Sequence, residues 1–136
     1  YREKEKMNSV TKILVAEDES IVALNIKKTL ERLGYKVTSL VSSGEDVIIK
    51  ANDEHPDLIL MDIMLKGSID GIEAAGTIAQ KNNIPVVFLT ALSDEKTIDR
   101  AAFVKPYGFL VKPFTTSEMH TAIENALINF EETYRN

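Results

Sequence analysis

A chain of 136 residues with 44% hydrophobic content suits one globular domain with its own core and is not expected to hold a second. The lack of cysteine excludes disulfide staples and thiolate metal sites and fits a reducing cytoplasm, which is the expected location. The formal net charge of −5 argues against direct nucleic-acid binding, and with no signal peptide and no apolar run near the ~20 residues that span a bilayer, no membrane insertion is expected.

Residues 1–10 read as a flexible leader, charged from Tyr1 to Lys6, with Met7 as a candidate start; the domain is expected over residues 11–136. Strand and helix then alternate five times, the pattern of a parallel sheet covered on both faces. Strand one is expected over residues 12–16 and helix one over 20–33, where Val22, Ile26, Leu30 and Leu33 share a face and Gly34 is a C′ stop. Strand two falls at 36–41 and helix two at 44–52, with Pro56 in the loop beyond. Strand three is 58–61, and a loop with Lys66, Gly67 and Gly71 leads into helix three at 72–81. Pro85 opens strand four at 86–89. Helix four, 94–104, is the weakest element, its apolar face little more than Ile98, Ala101, Ala102 and Phe103. Pro106 and Gly108 precede strand five at 109–111. Helix five opens with the capping-box spacing Thr115-x-x-Glu118, and Met119, Ile123, Leu127, Phe130 and Tyr134 mark its buried stripe. Such a chain winds most naturally as a flavodoxin-like (βα)5 three-layer α/β sandwich with a parallel sheet in the order 2-1-3-4-5.

Four of the apolar runs end in a polar group. Ile13-Leu14-Val15-Ala16 ends in Glu17-Asp18-Glu19, Leu58-Ile59-Leu60-Met61 in Asp62, Val86-Val87-Phe88-Leu89 in Thr90, and Phe109-Leu110-Val111 in Lys112-Pro113. In open parallel sheets the site lies outside the carboxyl ends of the strands, and strands one and three are neighbours at the switch point. Acids, a hydroxyl and an amine gathered there suggest chemistry on a phosphoryl group held by a divalent metal. Two carboxylates about 4 Å apart repel by roughly 4 kcal/mol at an effective dielectric near 20, and a hard cation such as Mg²⁺ resolves that conflict. Singly, an Asp or Thr at a strand end is most often a cap or turn residue and a Lys a surface residue; it is the joint pattern that points to a site. His55 and His120 fall away from it and read as solvated surface residues, and Met61 and Met64 as core or pocket wall.

Leu14-Val15-Ala16-Glu17-Asp18-Glu19, Leu58-Ile59-Leu60-Met61-Asp62-Ile63-Met64, Leu89-Thr90-Ala91 and Gly108-Phe109-Leu110-Val111-Lys112-Pro113-Phe114 together resemble the motifs of a response-regulator receiver domain, the phosphoacceptor half of two-component signalling. The resemblance covers residues 11–132. It implies that Asp62 accepts a phosphoryl group from a histidine kinase or phosphotransfer protein. It implies Mg²⁺, with Mn²⁺ as a substitute, on Asp18, Asp62 and the backbone carbonyl of Met64, with Glu17 acting through water. Thr90 would donate its hydroxyl to the phosphoryl group, Ala91 would leave the pocket open, and Lys112 would neutralise phosphoryl charge from beside a cis Lys112-Pro113 bond. Thr90 and Phe109 would form the switch. Phe109, being apolar, is expected to favour a buried rotamer even before phosphorylation. The face made by helix four, strand five and helix five would report the state, including through a homodimer. The module would be no enzyme beyond its own phosphorylation and dephosphorylation. Met64 and Leu92 stand where receiver side chains border the approach of hydrolytic water, which implies a long-lived phosphorylated state.

Two departures from the common pattern stand out. The loop Met64-Leu65-Lys66-Gly67-Ser68-Ile69-Asp70-Gly71 lacks the usual proline and is one residue longer, as in a subset of receivers joined to sensor or RNA-binding modules. The segment Val104-Lys105-Pro106-Tyr107-Gly108 is stiffer than the common Gly-Ala form. An aspartyl-phosphate phosphohydrolase would usually need a second Asp where Met64 stands and a cap domain. A flavin-binding electron carrier would need a hydroxyl-rich phosphate loop in place of Glu17-Asp18-Glu19.

Overall fold

The computed structural model describes residues 9–91 and 95–135, and side chains through residue 133. Residues 1–8 of the expected leader, with Met7, the site candidate Leu92, the expected helix start at Asp94 and the side chain of Tyr134 lie outside the described residues. Strands and helices alternate as β1 (Lys12–Ala16), α1 (Ser20–Arg32), β2 (Lys36–Val41), α2 (Gly44–Glu54), β3 (Leu58–Asp62), α3 (Gly71–Lys81), β4 (Val86–Thr90), α4 (Glu95–Phe103), β5 (Gly108–Val111) and α5 (Thr116–Arg135).

The strands form one parallel sheet in the order β2-β1-β3-β4-β5, as expected. Ile13 to Ala16 pair with Leu58 to Met61, so the tips of β1 and β3 adjoin although Asp18 and Asp62 are distant in sequence. From Ile13 to Ala16 in β1, and throughout β3 and β4, the strands are buried on both faces, which is why they read as continuous apolar runs. Their side chains alternate between two cores. Leu14, Ala16, Ile59, Met61 and Phe88 meet Val47 and Ala51 of α2, Ala74 and Ile78 of α3 and Ala101 of α4. Ile13, Val15, Leu58, Leu60, Val87 and Leu89 meet Ile26 and Leu30 of α1 and Met119, Ile123 and Ala126 of α5.

Local signals set several helix ends. Gly34 follows α1 with φ +96°, the left-handed stop expected of it. At the start of α5, Glu118 N–H donates to Thr115 Oγ1 (3.0 Å) and Thr115 N–H to Glu118 Oε1 (2.8 Å), closing the predicted capping box. A second box, Asp70 with Glu73, starts α3 one residue before the expected position. It has the same i, i+3 spacing and was equally legible. α2 runs to Glu54, two residues past the expected end, and stops at His55 in the left-handed region.

The apolar face predicted for helix four does not form as expected. Only Ala101 is buried on α4, Ile98 is among the exposed apolar residues, and Phe103 is 88% exposed. Residues 101–103 are consecutive, each turned about 100° from the last, so they cannot share one stripe. On α5 Met119 and Ile123 are buried, Ala126 joins them, and Leu127 and Phe130 are half-buried. Among the described residues no helix is long and apolar enough to cross a membrane.

Candidate functional site

Backbone hydrogen bonds tie the tips of β1, β3 and β5 to a neighbouring strand. Glu17 N–H donates to the Val41 carbonyl (2.9 Å), Ile63 N–H to Leu89 (3.1 Å) and Lys112 N–H to Thr90 (2.8 Å). Each bond crosses to the neighbouring strand just past a strand end: Glu17 and Lys112 are themselves site residues, and Ile63 follows Asp62. The residue after each tip is therefore placed by the sheet, not by a free loop. The buried polar or charged residues among those described are Glu17, Asp62 and Thr90, at 2%, 6% and 9% exposure, and all three stand here. Burial of polar groups in one place, where the rest of the core is apolar, marks a functional site.

One carboxylate oxygen each from Glu17, Asp18 and Asp62 lies within 4.8 Å of the others. Lys112 Nζ donates to Asp62 Oδ2 at 2.5 Å and to Glu17 Oε1 at 2.7 Å. The second oxygens are also engaged: Met64 N–H donates to Asp62 Oδ1 (2.8 Å) and Glu19 N–H to Glu17 Oε2 (3.1 Å). Burial pulls the Lys112 pKa down, but the hydrogen bonds and charges of Asp62 and Glu17 outweigh it and hold the ammonium above its ordinary range. Three carboxylates against one ammonium leave two negative charges uncompensated. Asp18 is half-buried and lines a cleft of about 330 Å³ with Glu17, Ser42, Asp46 and Lys66.

The other predicted residues fall as follows. Thr90 ends β4 beside the site, and Ala91, exposed, follows it. The Lys112-Pro113 bond is cis, as expected. Met61 is fully buried in the core, whereas Met64 is 72% exposed at the rim. Phe109 is 38% exposed, not buried as its apolarity suggested; its ring tilts against Phe88 at 6.0 Å between centroids. It sits on the edge strand β5, which has a neighbouring strand on one side only. His55 and His120 are exposed and away from the carboxylates, as expected; His120 lies 6.2 Å from the Tyr35 ring. Sequence reasoning placed Glu17 in the pocket but missed its direct pairing with Lys112, a contact between residues 95 positions apart.

A parallel α/β sandwich with an acidic pocket at its switch point, faced by a lysine and a buried threonine, is the arrangement of a receiver-type module. The chain belongs to the response regulator receiver domain family, whose model matches residues 13–124. It is 36% identical over 121 residues to the transcriptional regulatory protein PdtaR of Mycobacterium tuberculosis (strain H37Rv), a match over 89% of this chain and 58% of that protein. It is 35% identical over 117 residues to the alkaline phosphatase synthesis transcriptional regulatory protein PhoP of Bacillus subtilis (strain 168), covering 85% of this chain and 48% of that protein. The chain thus spans about half the length of these relatives. Among solved structures it is similar to the signal receiver domain of a modulated diguanylate cyclase from Desulfovibrio desulfuricans G20, with TM-score 0.87 and 36% identity over 92% of this chain and 99% of that one. Receiver domains of this family are signalling modules of two-component systems.

Proposed function

We propose that this receiver takes a phosphoryl group onto Asp62 from a phosphohistidine of a histidine kinase or phosphotransfer protein. An Asp62 carboxylate oxygen forms the bond to phosphorus as the phosphorus–nitrogen bond breaks, and the imidazole leaves. The observation that carries the reading is the bridging of Asp62 and Glu17 by Lys112 beside Asp18. The ammonium would offset the charge on the incoming phosphoryl oxygens, and Thr90, buried at the end of β4, would donate its hydroxyl to them.

The donor set fits a hard divalent cation. All the donors are oxygens, three carboxylates converge, and two negative charges remain after Lys112 is counted. Asp18, Asp62 and the Met64 carbonyl would hold Mg²⁺ or Mn²⁺, with Glu17 behind them. Bound there, the cation neutralises charge on the transferring group. The exposed apolar residues Ile98 and Phe103 of α4 and Phe109 and Val111 of β5 support the α4 and β5 part of the α4-β5-α5 face as the surface that reports the state, to a partner protein or a second copy.

Intact-mass measurement after incubation with phosphoramidate and Mg²⁺ tests the reading. One phosphoryl addition is expected in the wild type and none in Asp62→Asn. In Asp18→Asn, Mn²⁺ affinity falls at least about tenfold, because a direct ligand is gone. Equal labelling of Asp62→Asn, or equal metal affinity of Asp18→Asn, would overturn it.

A further inference from the structure

The loop between β3 and α3, residues 63–70, carries Met64 and is the longer of the two departures from the common receiver pattern. It is fastened to the start of α2. Lys66 N–H donates to the Ser42 carbonyl at 3.1 Å, and Ser43 and Lys66 form an isolated parallel bridge. Two residues on, Ser68 gives both its donors to one oxygen: Ser68 Oγ lies 2.6 Å and Ser68 N 3.0 Å from Glu45 Oε2. Between them Gly67 has φ +95°, and a Cβ there would collide with the Glu45 carboxylate. Ile69 closes over Gly44, where a Cβ would lie 2.6 Å from Ile69 Cγ1. Glu45 itself is held by the helix it begins, since Ser43 caps α2 by accepting from Asp46 N–H at 3.1 Å. The two hydrogen bonds from Ser68 hold the Glu45 carboxyl below its usual range.

We propose that Glu45 is a positioning residue for the cation side of the phosphoacceptor pocket: by holding Ser68 it sets the path of the 63–70 loop and thereby the place of the Met64 carbonyl. The inference rests on the metal-dependent phosphoryl uptake proposed above. Met64 is already tied at one end, its N–H on Asp62 Oδ1. The far end of the loop is tied by Asp70, which caps α3 and pairs with Arg100 of α4 at 3.1 Å. In the intervening Lys66-Gly67-Ser68 turn, Glu45 is the side chain that receives the loop. Small cations such as Mg²⁺ demand near-ideal octahedral geometry, so a displaced carbonyl costs affinity though no ligand is lost. Only Oε2 does the holding, because Glu45 Oε1 has no hydrogen-bond partner among the described residues. A glutamine carbonyl can therefore replace it, whereas alanine cannot and aspartate is one methylene short.

Mn²⁺ binding followed by the electron paramagnetic resonance of the free ion, on the whole chain, separates these variants. Glu45→Ala and Glu45→Asp are expected to bind Mn²⁺ about tenfold more weakly than wild type, and Glu45→Gln to bind close to wild type. Ser68→Ala, which keeps the backbone donor, loses less in the same direction. Hydrogen exchange of the metal-free proteins should show the amides of residues 64–68 opening faster in Glu45→Ala, with the strand amides unchanged. Faster loop exchange with unaltered Mn²⁺ affinity would make Glu45 merely structural and overturn the proposal, as would a Glu45→Gln as weak as Glu45→Ala. A wild type that neither binds Mn²⁺ nor takes up phosphoryl would instead overturn the functional reading beneath it.

Discussion

Lys112 Nζ stands 2.5 Å from Asp62 Oδ2, joining the end of the sheet's edge strand β5 to the tip of its central strand β3. The same nitrogen reaches Glu17 beyond β1, so one cation ties three strand ends together. The Lys112 side chain is 23% exposed, and those of its two partners are almost fully buried. Such a lysine is the counter-ion of two buried carboxylates in the resting fold.

Replacing Lys112 by Met leaves Glu17 and Asp62 buried without their counter-ion. The expected cost is about 3 kcal/mol, the usual penalty for removing one partner of a buried pair. A divalent cation can take over part of the ammonium's role, so millimolar Mg²⁺ should recover more stability in Lys112→Met than in wild type. Urea denaturation with and without Mg²⁺ reads both effects. A variant as stable as wild type in the absence of metal would contradict the bridging role.

Gly71 begins α3 directly against Asp62. Its N–H donates to the Ile63 carbonyl at 2.9 Å, and a Cβ on it would run into the carbonyl oxygen of Asp62. Both neighbours are backbone in a packed sheet and cannot turn aside. Gly71→Ala is therefore expected to cost about 3 kcal/mol and to slow phosphoryl labelling, because Asp62 must shift. Thermal unfolding and intact-mass labelling measured together check this; an alanine variant matching wild type in both would refute the close approach.

Met64 borders the pocket with a mostly exposed side chain that cannot orient water. Decay of an aspartyl phosphate needs a water placed in line with the leaving carboxylate. Slow self-dephosphorylation is expected, and Met64→Asn should speed it severalfold by offering an amide to that water. Loss of phosphoryl label over time in excess Mg²⁺ decides. Fast wild-type decay that the substitution leaves unchanged or slows would remove this position from control of the water.

Tyr35, 8% exposed, donates its phenol to Glu124 Oε2 at 2.5 Å, tying the start of β2 to α5 beside His120. Burial, then the hydrogen bond and charge of Glu124, raise the phenol's pKa above its ordinary value. The folded state thus binds this proton more tightly than the unfolded chain. The stabilisation is complete below about pH 10, the unfolded value, and is lost as pH rises above it through the folded value. Tyr35→Phe should cost about 1.5 kcal/mol at pH 8, and the gap from wild type should narrow above pH 10. Urea midpoints of the two proteins from pH 8 to 11 test it, and a constant gap would exclude the titration.

How far the sequence alone determined this protein depends on the range of the interaction involved. β1, β3 and β4 were legible because burial on both faces demands a continuous apolar run, and a polar residue at the end of such a run has nowhere to go but the strand tip. The parallel order followed from strand–helix alternation, so Asp18, Asp62, Thr90 and Lys112 could be gathered at one edge before any coordinate was known. The Asp70–Glu73 capping box is equally local, with the same i, i+3 spacing as Thr115 and Glu118. Tertiary structure decided what depends on side-chain direction and on packing between distant segments. Lys112 chose Glu17 as a second partner across 95 residues. Phe103 turned to solvent because three consecutive apolar residues cannot share a helical stripe. Phe109 stayed half-exposed on the edge strand β5. Glu45 and Ser68, 23 positions apart and each ordinary in its own context, met only because the long loop folds back onto α2. Composition and periodicity report whether a residue is buried and in what kind of element. They carry no information on which distant neighbour fills the space beside it, and that neighbour sets the charge balance and the rigidity of the pocket.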